Sequence, residues 1–154
     1  MKKDLLITLA CAFIGSLPAA NTAFADDVFA GSNAKWKVEC GACHVAYPAQ
    51  LLPATSWQRL MKGLDKHFGT DASVDAASAA EIGAFLEKHA GSKRSITGET
   101  TLRVSETTWF RREHSKVSAA TWKNPKVKSA ANCAACHTAA EAGDYRERGI
   151  RIPQ

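Results

Sequence analysis

The stretch Cys40-Gly41-Ala42-Cys43-His44 recurs as Cys133-Ala134-Ala135-Cys136-His137, and the chain is read outward from these two repeats. In each, two thiols stand three residues apart and an imidazole follows at once. On a short helical segment, residues i and i+3 share one face. Thiols placed in this way can add to the two vinyl groups along one side of a porphyrin. The next residue then brings its imidazole over the ring centre, within reach of iron. The intervening residues are small in both copies, so the backbone can approach a flat macrocycle closely. The pattern is the attachment signature of haem c. It predicts two covalently attached haem c groups, on Cys40 and Cys43 and on Cys133 and Cys136, with His44 and His137 as proximal metal ligands.

Other uses of paired cysteines fit less well. Zinc sites built from two C-x2-C pairs usually place them about 15–20 residues apart, whereas these pairs are separated by most of the chain. Thiol–disulfide exchange would call for a thioredoxin-like βαβ pattern around a pair, and neither pair has one. The fifth cysteine, Cys11, lies in a different kind of segment. Lys2 and Lys3 precede an apolar run from Leu5 to Leu17, and Ala23-Phe24-Ala25 follows as an A-x-A cleavage site. Residues 1–25 therefore read as a secretory signal peptide cleaved after Ala25, which places the mature chain in the periplasm. The haem motifs then account for every remaining cysteine.

Composition bounds the rest. The 154 residues are 45% hydrophobic and 23% charged, an ordinary globular balance with room for one compact domain or two very small ones. The aromatic content is only 8%, so a core of side chains alone would be modest, and the apoprotein is expected to be largely unfolded. A net charge of +5 is too small an excess to suggest nucleic-acid binding. The charge is unevenly spread. Residues 26–91 carry six basic and eight acidic side chains, while residues 92–154 carry twelve and six. The second half could present a basic docking face to an acidic redox partner.

The sixth iron ligand decides between a closed and an open haem. His67, His89 and His114 remain, together with Met61. Thr55-Ser56-Trp57-Gln58 reads as a capping box opening a helix whose apolar stripe is Trp57, Leu60, Met61 and Leu64. His67 extends that stripe, and Gly69 ends the helix. A second helix, capped by Ser105 or Thr107, carries Phe110, His114 and Val117 on one face. His89 closes a third helix, from Asp75 to Ala90 with Gly91 as its stop, and shares a face with Ile82. It could displace either of the other two. Met61 is better explained as packing. His44 to His67 and His114 to His137 are both 23 residues, so each half could close its own site.

A short helix over 33–44 leads into the first motif, and one entered near Ser129 carries the second. A loop marked by Pro48 and Pro53, a polar linker from Gly91 to Ser105, a short Thr100–Val104 strand and an irregular tail complete the reading. The fold class is mostly α and loop-rich. It is divided into two small helical haem-binding lobes, 26–91 and 92–154.

Taken together, CGACH (40–44), LLPATSW (51–57), HFGTDAS (67–73), SETTWFRREH (105–114), ANCAACH (131–137) and the terminal RIP (151–153) resemble the small exported dihaem cytochromes c, the DHC family. The resemblance implies two bis-histidine, low-spin haems in a two-lobed helical fold, the first lobe similar to a class I cytochrome c with its distal Met replaced. It supports His67 for the first haem and His114 for the second, and gives His89 no place in the motif. It also implies redox partners, among them a small oxygen-binding c-type cytochrome and a membrane cytochrome b. The resulting expectation is a monomeric periplasmic electron carrier with low-potential haems and no catalytic residues. The competing reading is a haem enzyme or gas-binding module with one open or labile distal site.

Overall fold

A computed structural model describes residue 29, residues 31–91 and residues 101–154. The signal-peptide reading and most of the polar linker lie outside these residues. Five α-helices, joined by single 3-10 turns and loops, make up the described chain, and it contains no β-strand. They are α1 (Ala34–Gly41), α2 (Ala54–Lys62), α3 (Ala76–His89), α4 (Thr108–Glu113) and α5 (Ala119–Lys123). No helix among the described residues is long and apolar enough to cross a membrane.

The helices start where short polar side chains can take up free backbone N–H groups. Asn33 accepts from the Trp36 amide at 2.8 Å. Asp75 accepts from Ala77 and Ser78, each at 3.0 Å. Thr107, fully buried, accepts from the Phe110 amide at 3.1 Å and donates to the Val104 carbonyl at 2.8 Å. The Thr55 capping box does not form. Pro53 caps α2 instead, because its fixed φ and missing N–H suit a helix start. Ser56 turns inward and donates to the Thr101 carbonyl at 2.8 Å. α3 ends on an extended Ala90 rather than a left-handed glycine, and the Gly91 amide goes to the Leu52 carbonyl at 3.0 Å.

One buried cluster organises the centre. Trp36 of α1, Trp57 and Leu60 of α2, and Ile82 and Leu86 of α3 pack with Leu51 and Leu52 and with Val104 and Phe110. Ser78, Ile82 and Leu86 follow the i, i+4, i+8 spacing of one helical face, and α2 lies against that face of α3. The cluster takes side chains from both sides of the polar linker, so packing crosses residue 91. Leu86 is 1% exposed, and Leu86→Ala is expected to cost about 2–5 kcal/mol, seen as a lower denaturation midpoint with an unchanged haem spectrum.

Several local expectations differ. α2 ends at Lys62 rather than running through His67 to Gly69, and α4 ends at Glu113, so His114 is its C-cap and Val117 lies beyond it. The helix before the first motif stops at Gly41, ahead of Cys43 and His44. The second motif sits on a 3-10 turn, Cys133–Ala135, and the chain before it forms the unanticipated α5. Alanine-rich sequence favours helix, but so short a piece cannot nucleate one in isolation. Residues 101–104 form no strand, and Val104–Glu106 is a 3-10 turn. The tail is irregular as expected, with one 3-10 turn, but it is tied down. Arg151 donates its amide to the Cys136 carbonyl at 2.8 Å, and Thr138 donates amide and hydroxyl to Gly149 at 3.3 Å and 3.0 Å.

Candidate metal centres

Four of the five histidines form two pairs. The ring centroids of His44 and His67 are 6.4 Å apart, and those of His114 and His137 are 6.1 Å apart. The stacked pairs lie closer, at 4.0 Å for Phe110 and His114 and 4.5 Å for His44 and Tyr47, while Trp122 stands 6.0 Å from His114 and 6.2 Å from Phe110. Two metal–nitrogen bonds of about 2.0 Å each, added to the half-widths of two five-membered rings, span about 6 Å. Both pairs are thus spaced to hold one metal ion between two imidazoles. His89 belongs to neither. Its ring packs on Phe85 at 4.9 Å and stands 3.3 Å from where a Cβ on Gly31 would lie, and Gly31 has φ +102°. Met61 lies in the α2–α3 packing, facing Gly83.

The first pair is built by loops around the central cluster. His44 follows α1, and its Nδ1 donates to the Val45 carbonyl at 2.7 Å. A carbonyl only accepts, so the proton sits on Nδ1 and the Nε2 lone pair is left for a metal. His67 follows the 3-10 turn Leu64–Lys66 and is held by a tight reversal, with Thr70 donating back to its carbonyl at 3.1 Å. Phe68 and Gly69 take left-handed φ of +51° and +98° in succession. A bulky residue there is strained. The Arg103 guanidinium lies over the Phe68 ring at 4.0 Å, an attraction that offsets part of the strain.

The second pair is built mainly by turns. His114 caps α4, its Nδ1 donates to the Phe110 carbonyl at 2.9 Å, and its ring stacks on Phe110. His137 is fixed by its own amide, which donates to the Cys133 carbonyl at 2.9 Å, and by a bridge to Ile150 in the tail. Tyr145, 7% exposed, packs beside His137 at 5.2 Å.

Electrostatics suit neutral ligands. Burial, then His44 and Arg103, hold His67 below the usual imidazole range. Burial, then His114, do the same for His137, opposed by the Tyr145 backbone. Neutral imidazole is the form that binds metal. Burial, and Glu39 secondarily, push the Cys40 thiol up to about 11, and burial pushes Cys133 to about 11. No cluster of three or more ionisable metal ligands occurs among the described residues, and the four described cysteines form no disulfide. The His67 Nδ1 is buried without a hydrogen-bond partner, which costs about 1–3 kcal/mol if nothing else occupies the site. Two imidazole pairs at metal-spanning distances, His44 and His137 each following a C-x2-C pair in sequence, fit a haem held between the histidines of each pair.

The family model for dihaem cytochrome c matches residues 36–145. The chain belongs to the dihaem cytochrome c family. As such it is an electron-transfer haem protein with two covalently bound haem c groups. Among solved structures the cytochrome is similar to a diheme cytochrome c from Rhodobacter sphaeroides, at 44% identity, with a TM-score of 0.67, over 78% of this chain and 97% of that one. It is also similar to the diheme cytochrome c sb-DHC from Shewanella baltica OS155, at 38% identity, with a TM-score of 0.69, over 79% and 93%. No curated protein matches it.

Several residues around the cytochrome's sites carry no motif signal. Tyr47, Tyr145 and Arg103 reach the histidines only through the fold. Phe110 does leave a trace, four residues before His114 on the helix face that the apolar pattern marks, whereas Tyr47 meets His44 through a non-helical turn.

Proposed function

We propose that the protein is an exported, periplasmic one-electron carrier whose two irons are each ligated by two histidines, His44 with His67 and His137 with His114. The observation that carries this reading is the pair of ring separations, 6.4 Å and 6.1 Å, at spacings that admit one metal ion. Bound haem supplies a ferric–ferrous couple. The chain's part is to fill both axial positions, to favour neutral His67 and His137 by burial, and to orient His44 and His114 through the Val45 and Phe110 carbonyls. Iron so enclosed has no position for a substrate, which favours transport over enzymatic chemistry. Histidine in place of the distal methionine removes a ligand that raises potential, so both haems are low-potential for c-type centres.

The protein works as a monomer. The partners are other redox proteins met in brief encounters, with a small oxygen-binding c-type cytochrome and a membrane cytochrome b as the kinds to try first. Arg111, Lys116, Lys123 and Lys128 are exposed in the basic second half and give an acidic partner a docking face.

The strained turn after His67 favours a second reading, in which the first distal ligand dissociates and a gas molecule binds. Titration of the reduced protein with carbon monoxide, followed by visible absorption, separates the two. No spectral change supports the electron carrier. Binding at one haem supports the labile site.

A further inference from the structure

Tyr47 stacks on a histidine of the first metal site and hydrogen-bonds the loop that leads into the second motif, yet is a ligand in neither. Its ring stacks on His44 at 4.5 Å and 18° between planes. Its hydroxyl donates to the Ala131 carbonyl at 2.6 Å, across 84 residues of sequence and two residues before Cys133. Its side chain packs against the central cluster and also against the smaller cluster of Val45, Ala140 and Tyr145, in which Cys133 takes part.

The two pairs differ in ring orientation. His44 and His67 are 25° from parallel, whereas His114 and His137 are 70° apart. One edge of the His44 ring is set by the Val45 carbonyl, and one face is covered by Tyr47. A single hydrogen bond leaves a ring free to swing about it, and the stacked phenol removes that freedom.

We propose that Tyr47 is a positioning residue with two jobs: its ring fixes the plane of His44 near that of His67, and its hydroxyl ties the first metal site to the loop that presents Cys133. The two sites then move as one body, and the distance between them does not fluctuate with separate loop motions. This rests on bis-histidine ligation as proposed above.

The test uses the haem-loaded protein and two variants. Low-spin ferric haem with near-parallel axial imidazoles gives a rhombic electron paramagnetic resonance spectrum, and near-perpendicular rings give a large-g signal. The unaltered protein is expected to show one of each. Tyr47→Leu, which loses ring and hydroxyl, is expected to shift the rhombic signal and leave the large-g signal in place. Tyr47→Phe keeps the ring and is expected to restore the rhombic signal. Hydrogen exchange at Ala131–Cys133 is expected to quicken in both variants, by up to about tenfold for loss of one hydrogen bond. An unchanged rhombic signal in Tyr47→Leu would overturn the first job, and unchanged exchange in Tyr47→Phe the second. A high-spin signal in the unaltered protein would instead defeat the ligation reading, whatever the variants do.

Discussion

Replacing His67 by alanine is expected to convert one of the two haems from six-coordinate, carbon-monoxide-silent iron to an open site that binds the gas when reduced. His67 stands 6.4 Å from His44, and the other histidine that the helical pattern turned inward, His89, is occupied against Phe85 and Gly31. No spare imidazole is therefore at hand to close the site. Thioether attachment through Cys40 and Cys43 and the His44 bond do not depend on His67, so haem content should remain at two per chain. The measurement is a carbon monoxide titration of the reduced variant beside His89→Ala, with haem quantified in both. Half of the haem absorbance should respond in His67→Ala and none in His89→Ala. A silent His67→Ala would remove His67 from the ligand set. His67→Met offers a directional control, since a methionine ligand raises the potential of the haem it binds.

The second large effect concerns folding. Replacing Cys133 and Cys136 together by alanine is expected to abolish fixed structure over roughly residues 124–154 while the helices of the first half persist. The central cluster draws on α1, α2, α3, Val104 and Phe110 and does not include the second motif. Around that motif the fully enclosed side chains are few: Val127, Ala140 and Tyr145, with Val45 from the other half. The local backbone is 3-10 turns and single bridges, which stabilise little by themselves. Burial of a large apolar macrocycle is what remains to hold the region together. Far-UV circular dichroism should change little, because α1, α2 and α3 lie elsewhere. Hydrogen exchange over 133–151 should rise towards unfolded rates, including the Arg151 amide now bonded to Cys136. Retained protection there would show that the tail folds without its haem.

Elements set by short-range bonds were legible wherever they fall in the chain, for a physical reason. Asp75 and Thr107 cap helices through bonds to residues two or three positions on, and the 78, 82, 86 face of α3 is set by helix geometry alone. The capping box at Thr55 and the helix expected at Ser129 failed where local preference met a proline or a turn fixed from outside. The hydroxyl of Ser56 found Thr101, and the backbone of the second motif found the tail.

The sequence by itself was enough to expect two covalent haems, as the family match bears out, and it assigns their attachment to Cys40, Cys43, Cys133 and Cys136 because attachment needs only thiols three residues apart and the imidazole next in line. Helical periodicity also turned His67, His89 and His114 inward, and the sequence favoured His67 and His114 over His89 as ligands, although His67 proves to follow a 3-10 turn. Tertiary structure decided which imidazole faces which. It set His67 opposite His44 and His114 opposite His137, packed His89 against Phe85, and laid Tyr47 between the two sites. The histidine pairs join residues 23 positions apart and the Tyr47 hydroxyl reaches across 84, whereas the His89–Phe85 and Tyr47–His44 contacts are local. Periodicity fixes only the direction a side chain leaves its own helix, and the packing of helices and turns against one another fixes what it meets.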